Sequence, residues 1–385
     1  MKIDTRRASH WWLLARQGAC AAVAALLRPL LPRPRRPLVL FYGHQFSGNL
    51  KALYREWERS FADDLDVRFI ALDPEYAAAL RRQGIHCLSG TEIAIIAALA
   101  RCSVMVTDHG LHAMGILIHI SNIRFVDVWH GIPFKGFVPK DFALQRKYDE
   151  IWLSSPLLAA LYQERFGFER ERLRVLGYAR TDSLFNCTPA SGQSTAELTL
   201  PPGKRILYAP TWKQDDTGRE LFPFGETAEN FVRAIAAVAR KNGATLLIRS
   251  HLNSSMNSVD CPGVVFCSQR DFPDTEDLLL QTDILLCDWS SIAFDFLALR
   301  RPIVFLDVPA PFRHGFSLDA SYRAGAVVDS LERLQAAIGA YLDDPERFTA
   351  EYGVLQEQVL QEIYAQSTIG VAAQQQLERL SEILA

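Results

Sequence analysis

Residues 282–307 read TDILLCDWSSIAFDFLALRRPIVFLD. A short apolar run closes at Cys287, Asp288 and Trp289 turn the chain, and Ser290 or Ser291 is placed to cap a helix reaching about Leu299. A second apolar run, 303–306, follows. A strand, a tight turn, a helix and a strand in so short a span form a βαβ unit, which requires a parallel sheet with helices packed on it. Working outward, apolar runs at 205–209, 245–249, 263–266, 283–287 and 303–306 form one series of strands, with helices such as 226–240 and 291–299 between them. An earlier series lies at 38–42, 67–71, 103–107, 124–128, 150–153 and 173–176. Between the two, TPASGQSTAELTLPPGK at 188–204 has the Ser, Thr, Gly and Pro content of a linker. The expectation is an α/β protein of GT-B-like class, with two Rossmann-like domains facing across a cleft and an N-terminal membrane-interface helix. The expected divisions are 1–37, a basic amphipathic membrane segment; 38–190, an acceptor-side domain; 191–345, a donor-binding domain; and 346–385, helices bracing the two.

The charge is unevenly distributed. The chain has 385 residues, 49% hydrophobic and 22% charged, a composition that excludes a disordered or fibrous protein. Its formal net charge is -3. Residues 1–37 hold eight basic residues and one acidic, a net of +7, and the remainder holds 33 basic and 43 acidic residues, a net of -10. Within the basic segment, WWLLARQGACAAVAALLRPLL at 11–31 is apolar but interrupted by Arg16, Gln17 and Arg28. A bilayer span needs about 20 apolar residues, so the segment suits the headgroup layer, with Trp11 and Trp12 at the interface and arginines on anionic lipid; a helix packed on the body and a true span are the alternatives. The proline-rich basic stretch that follows is a poor site for signal-peptide cleavage. Seven cysteines form no CxxC pair, which fits a reducing cytoplasm and places the basic segment on the inner leaflet.

Motifs for P-loop hydrolysis (GxxxxGK[ST]), dinucleotide binding (GxGxxG), esterase chemistry (GxSxG) and zincin chemistry (HExxH) are absent from the sequence. Asp64-Leu65-Asp66 precedes a strand and reads as a solvated turn. The candidate residues sit at strand ends. His130 leaves the strand at 124–128, Gly131 admits close approach of a ligand, and Lys135 supplies charge. Arg249 and His251 leave the strand at 245–249. Thr211, Trp212 and Lys213 follow the strand at 205–209, and Arg180 and Asp182 close the first half with a guanidinium suited to phosphate. Ser290 and Ser291 stand at a helix N-terminus that favours an anion, with Asp295 on the same helix face.

Taken in order, these segments resemble the CDP-glycerol glycerophosphotransferase family of teichoic-acid primases and polymerases. Residues 47–54, SGNLKALY, are similar to its SxN-x-KALY element, and Trp129 to Lys135 to its WHGxxxK. Residues 177–182, GYARTD, are similar to GYPRxD with Ala179 in place of proline. YAPTWK at 208–213, RSH at 249–251 and DWSSIAFD at 288–295 match YAPTW(K/R), RxH and DYSSxxFD, the last with Trp289 in place of tyrosine. The resemblance implies attack of an acceptor hydroxyl on the β-phosphorus of CDP-glycerol, with release of CMP. His130 would be the general base, and His251, Arg180, Lys135, Lys213, Ser290 and Ser291 would hold the diphosphate. Expected partners are CDP-glycerol or CDP-ribitol, a lipid-linked glycan or poly(glycerol phosphate) acceptor, and an anionic membrane at the cytoplasmic face of the cell membrane. No nucleic acid is expected, and no cofactor or metal, since the CDP-alditol is a substrate. The rivals are a ribitol-phosphate transferase of the same family, a GT-B glycosyltransferase using a CMP- or UDP-sugar, and a silent membrane-associated scaffold.

Overall fold

The structure is a computed structural model and describes residues 7–32, 34–187, 200–211, 222–249, 261–269, 271–310 and 312–385. The chain divides into two units. The first comprises residues 1–130, 139–182 and 365–385, and the second residues 131–138 and 183–364.

The first unit opens with α1 (Ala8–Leu27). A seven-stranded parallel sheet follows, built from β1 (Leu38–Tyr42), β2 (Asp66–Ala71), β3 (Cys87–Ser89), β4 (Cys102–Thr107), β5 (Arg124–Asp127), β6 (Glu150–Leu153) and β7 (Leu173–Val175), in the order β3-β2-β1-β4-β5-β6-β7. The connecting helices are α2 (Gly48–Ser60), α3 (Pro74–Arg82), α4 (Ala94–Arg101), the single turn α5 (Leu117–Ile120) and α6 (Pro156–Phe166). All of β1 is buried, as expected of a central parallel strand covered on both faces. Asp66, the second acidic residue of the 64–66 run, is the first residue of β2 and is held bidentately by Arg68 at 3.1 and 2.7 Å.

The expected membrane segment is docked on this unit. Gln17, Cys20, Ala21 and Ala24 are the buried residues of α1, spaced i, i+3, i+4, i+7 so that they share one helix face. Three of them are small and let α1 approach α4, α5 and the 3-10 turn His112–Ile116 closely. Beyond α1, the Arg28 guanidinium donates to the carbonyls of Ala100 at 3.2 Å and Cys102 at 2.6 Å, satisfying backbone at the end of α4. The opposite face of α1, continued by Leu30 of the 3-10 turn Arg28–Leu30, remains apolar and exposed. Trp12 is 65% exposed, Leu26 75% and Leu30 76%, and Ile93, Ile116 and Ile120 add apolar surface from the elements α1 packs against.

The short α7 (Asp182–Phe185) carries the chain into the second unit. There β8 (Lys204–Ala209), β9 (Ala244–Ile248), β10 (Val264–Phe266), β11 (Ile284–Cys287), β12 (Ile303–Leu306) and β13 (Ala326–Val328) form a parallel sheet in the order β10-β9-β8-β11-β12-β13. Its helices are α8 (Ala228–Lys241), α9 (Thr275–Leu280), α10 (Ile292–Leu297), α11 (Leu331–Asp343) and α12 (Pro345–Ile363).

Two boundaries differ from the sequence expectation. The division falls at residues 182/183 instead of 190/191, and the terminal helices are shared out between the units. α12 belongs to the second, whereas α13 (Ala372–Leu384) returns to the first. There Ala373, Leu377 and Leu380 join the core formed by Val39, Phe41, Leu53 and Val126, and Arg379 pairs with the buried Glu150 of β6.

Candidate active site

Each sheet has one point where strand order reverses, and ligands of open parallel sheets bind outside the strand carboxyl ends at that point. In the first unit it lies between β1 and β4, in the second between β8 and β11.

In the first unit four histidines gather there. His44 follows β1, His109 and His112 follow β4, and His130 follows β5. The rings of His44 lie 4.8 Å from His109 and 4.9 Å from His112, and His109 stacks on His130 at 4.1 Å with planes 10° apart. The residue before His130 is held in a strained state. Trp129 has φ 43°, a left-handed value that is an outlier for so bulky a side chain and persists only where its surroundings enforce it. Two groups do so. The Asp127 carboxylate accepts the Trp129 N–H at 2.6 Å, and the Asn49 carboxamide donates to the carbonyls of Val128 at 2.9 Å and Trp129 at 2.8 Å. Asn49 Oδ1 also accepts the Arg180 N–H at 3.1 Å, and the Arg180 guanidinium donates to the His130 carbonyl. The segments 47–54, 129–135 and 177–182 therefore converge on the backbone that carries His130.

His130 is exposed to solvent, with the rings of His109 and Trp129 packed against its imidazole. Its Nδ1 lies 3.0 Å from the carbonyl oxygen of Asp108. A carbonyl only accepts, so Nδ1 carries the hydrogen and Nε2 presents a lone pair. Burial, and then the charge of His109, push His130 down to about 3, so the imidazole is neutral at neutral pH. At the far end of the row Gln17 donates to the Tyr42 hydroxyl at 3.1 Å, and that hydroxyl sits 2.6 Å from His112 Nδ1. Burial lowers His112 to about 4.

In the second unit Asp288, fully buried, accepts the N–H groups of Thr211 at 2.7 Å and Trp289 at 2.8 Å as well as the Thr211 hydroxyl, so it ties the ends of β8 and β11 together. Ser290 and Ser291 are half-buried just beyond, and Ser291 precedes α10 without a side-chain cap. Residues 131–138 lie in this unit. Lys135 pairs through its backbone with Phe316, and its carbonyl accepts the Ser317 hydroxyl at 2.6 Å. A Cβ on Gly136 would come within 2.1 Å of the His314 carbonyl, so only glycine allows this segment to lie so close. Trp289 donates to the Val308 carbonyl at 2.8 Å and carries the Arg323 guanidinium 4.3 Å above its ring.

Asp182, Asp295 and Arg249, also expected at the site, are engaged by internal partners. Asp182 accepts the N–H groups of Ala372 at 3.0 Å and Ala373 at 2.8 Å, capping α13. Asp295 is buried and accepts the Tyr364 hydroxyl at 3.2 Å. Arg249 donates to the carbonyls of Ser268 and Phe272 and to the Thr275 hydroxyl. Trp212, Lys213 and His251 lie outside the described residues. Asp108, His109 and His44 were not expected. Their signal is the same as for His130, a polar residue at the carboxyl end of an apolar strand beside glycine. Among the described residues no group of three His, Cys, Asp or Glu side chains is arranged to hold a metal ion.

Residues 28–367 match the family described as CDP-Glycerol:Poly(glycerophosphate) glycerophosphotransferase. The chain belongs to this family. Among similar members, the teichoic acid glycerol-phosphate transferase of Staphylococcus aureus is 23% identical over 356 residues, covering 82% of this chain and 88% of that protein. The teichoic acid ribitol-phosphate polymerase TarL of the same species is 28% identical over 234 residues, 55% of this chain and 41% of TarL, so the match spans under half the length of that relative. The fold of this glycerophosphotransferase-family chain is that of the wall teichoic acid polymerase TagF, with a TM-score of 0.74 at 20% identity over 96% of this chain and 94% of that one.

Proposed function

We infer that the chain transfers an alditol phosphate, glycerol phosphate by preference, from a CDP-alditol to a hydroxyl of a membrane-associated glycan or poly(alditol phosphate), releasing CMP. The acceptor oxygen attacks the β-phosphorus, the bond from that phosphorus to the bridging oxygen breaks, and CMP leaves with the electron pair. His130 takes the acceptor proton at Nε2. Lys135, Arg180, Thr211, Ser290 and Ser291 are assigned to the diphosphate and the developing charge, the main demand that phosphoryl transfer makes of a protein. Trp212, Lys213 and His251 keep the donor-side roles that the resemblance implies.

The observation that carries this reading is the neutral, oriented imidazole of His130 on an enforced backbone, within a family match over residues 28–367. The apolar exposed face of α1 supports a peripheral site on the membrane where such an acceptor resides.

Purified protein is to be incubated with CDP-glycerol or CDP-ribitol, with and without a membrane-derived acceptor, and CMP release followed. Acceptor-dependent CMP from CDP-glycerol, reduced about 10²- to 10⁴-fold in His130→Ala, is the expected result. Release only from CDP-ribitol reassigns the donor. Normal turnover in His130→Ala overturns the assignment of the base.

A further inference from the structure

His109 is left unused by that mechanism, yet the turn that carries it and its contacts with Asp108 and His130 fix its place in the histidine row. The Thr107 hydroxyl shapes the turn that carries it, accepting the N–H groups of His109 at 3.4 Å and Gly110 at 3.2 Å and donating to the Gly110 carbonyl at 3.2 Å. Its Nδ1 lies 2.7 Å from Asp108 Oδ1. The same aspartate receives His130 Nδ1 on its backbone carbonyl, so a single residue fixes both imidazoles, one by its side chain and one by its main chain. The outcome is the parallel stack, 4.1 Å between centroids, of His109 on His130.

We propose that the Asp108–His109 pair is a positioning device for His130: Asp108 holds the two rings in register, and the stacked His109 ring sets the orientation of the base. This rests on the assignment of His130 made above.

The electrostatics agree with the geometry. Burial opposes a charge on His109, but the attraction of Asp108, whose Oδ1 lies 2.7 Å from Nδ1, and of Asp127 outweighs burial and raises its pKa. A cationic ring against His130 then disfavours a second proton there, as does Arg180 on the other side. The ionisable groups around the pair are thus Asp108 beside both rings, Asp127 from β5, His44 after β1, His112 on the 3-10 turn, and Arg180 from the first unit's closing segment. His109 thus adds to burial in lowering the proton affinity of His130, while the Asp108 carbonyl keeps hold of its Nδ1.

The test uses the full chain. His109→Gln removes the ring and the charge, and His109→Phe keeps a flat ring without charge. In His109→Gln, kcat should fall about 10- to 100-fold, the scale of a misplaced reacting group, while KM for CDP-glycerol stays within about twofold. His109→Phe should recover most of kcat. In both variants the acid limb of kcat/KM should move to higher pH, because a neighbour that lowered the His130 pKa is gone. A residue that only supports folding would not move that limb. Independently of activity, the His130 imidazole is to be titrated by NMR in isotope-labelled protein. An upward shift of its midpoint in either variant is the expected result, and a midpoint unchanged from wild type overturns the inference. If His130→Ala retains turnover, it is the base assignment that fails, and the titration still decides whether His109 governs His130.

Discussion

The side-chain amide of Gln17 donates to the hydroxyl of Tyr42 at 3.1 Å, and its carbonyl oxygen accepts the Ala113 N–H at 3.1 Å. A residue that interrupts the apolar N-terminal run is thereby the one that fastens α1 to β1 and to the turn after β4. It also ends the histidine row, since Tyr42 continues to His112.

Gln17→Leu tests that fastening. The substitution keeps volume but deprives the half-buried Ala113 N–H of its acceptor and the buried Tyr42 hydroxyl of a donor. Leaving such groups unsatisfied costs about 1–3 kcal/mol. Denaturant unfolding should show a lower midpoint with an unchanged slope. A midpoint equal to wild type would mean that α1 is not held by this contact.

The exposed face of α1 makes the opposite prediction. Leu26 and Leu30 are largely solvated, so Leu26→Glu with Leu30→Glu should change stability by no more than about 0.5 kcal/mol each. Binding to vesicles containing anionic lipid should fall sharply, because two carboxylates enter the surface that would meet the acyl boundary. Sedimentation with such vesicles at wild-type level would remove this face from the membrane reading.

Asp182 separates capping from substrate contact. Its carboxylate oxygens are engaged by the first N–H groups of α13. Asp182→Ala should therefore cost about 0.5–2 kcal/mol in thermal or denaturant unfolding, the range for loss of a helix cap, with KM for CDP-glycerol within about twofold of wild type. A large rise in KM at unchanged stability would return Asp182 to the substrate.

The long central strands and the run 282–307 were legible because apolar stretches bounded by turn residues have few other interpretations. β3 and β13 were not. Each is a three-residue edge strand, the length of β7 and β10, which the runs at 173–176 and 263–266 did show. The role of Gln17 depends on Tyr42, 25 residues away, which hydropathy along the chain cannot register. The return of α13 to the first unit has the same origin. Its helical pattern is local, but the residues it packs on, such as Val39 and Phe41, lie at the other end of the sequence. At the site, Asp108-His109-Gly110 follows β4 as Trp129-His130-Gly131 follows β5, so the residues were visible and only their stacking was not.

Asp127 gives the clearest pH prediction. Burial, supplemented by Asp108, raises its pKa from 3.8 to about 7, despite the hydrogen bond from the Trp129 N–H, and its Oδ2 is buried with no hydrogen-bond partner. The folded state holds this proton more tightly than the unfolded chain. Its stabilising effect is complete below about pH 4 and is lost as pH rises through about 7. Asp127→Asn keeps an oxygen for the Trp129 N–H and carries no charge at any pH. The variant should match wild type below about pH 4 and exceed it by a few kcal/mol at pH 8, where wild type must hold a buried carboxylate beside Asp108. Denaturant unfolding of both proteins from about pH 4 to 8 measures the difference directly. A gap that stays constant across the range would show that Asp127 is ionised throughout in the folded protein.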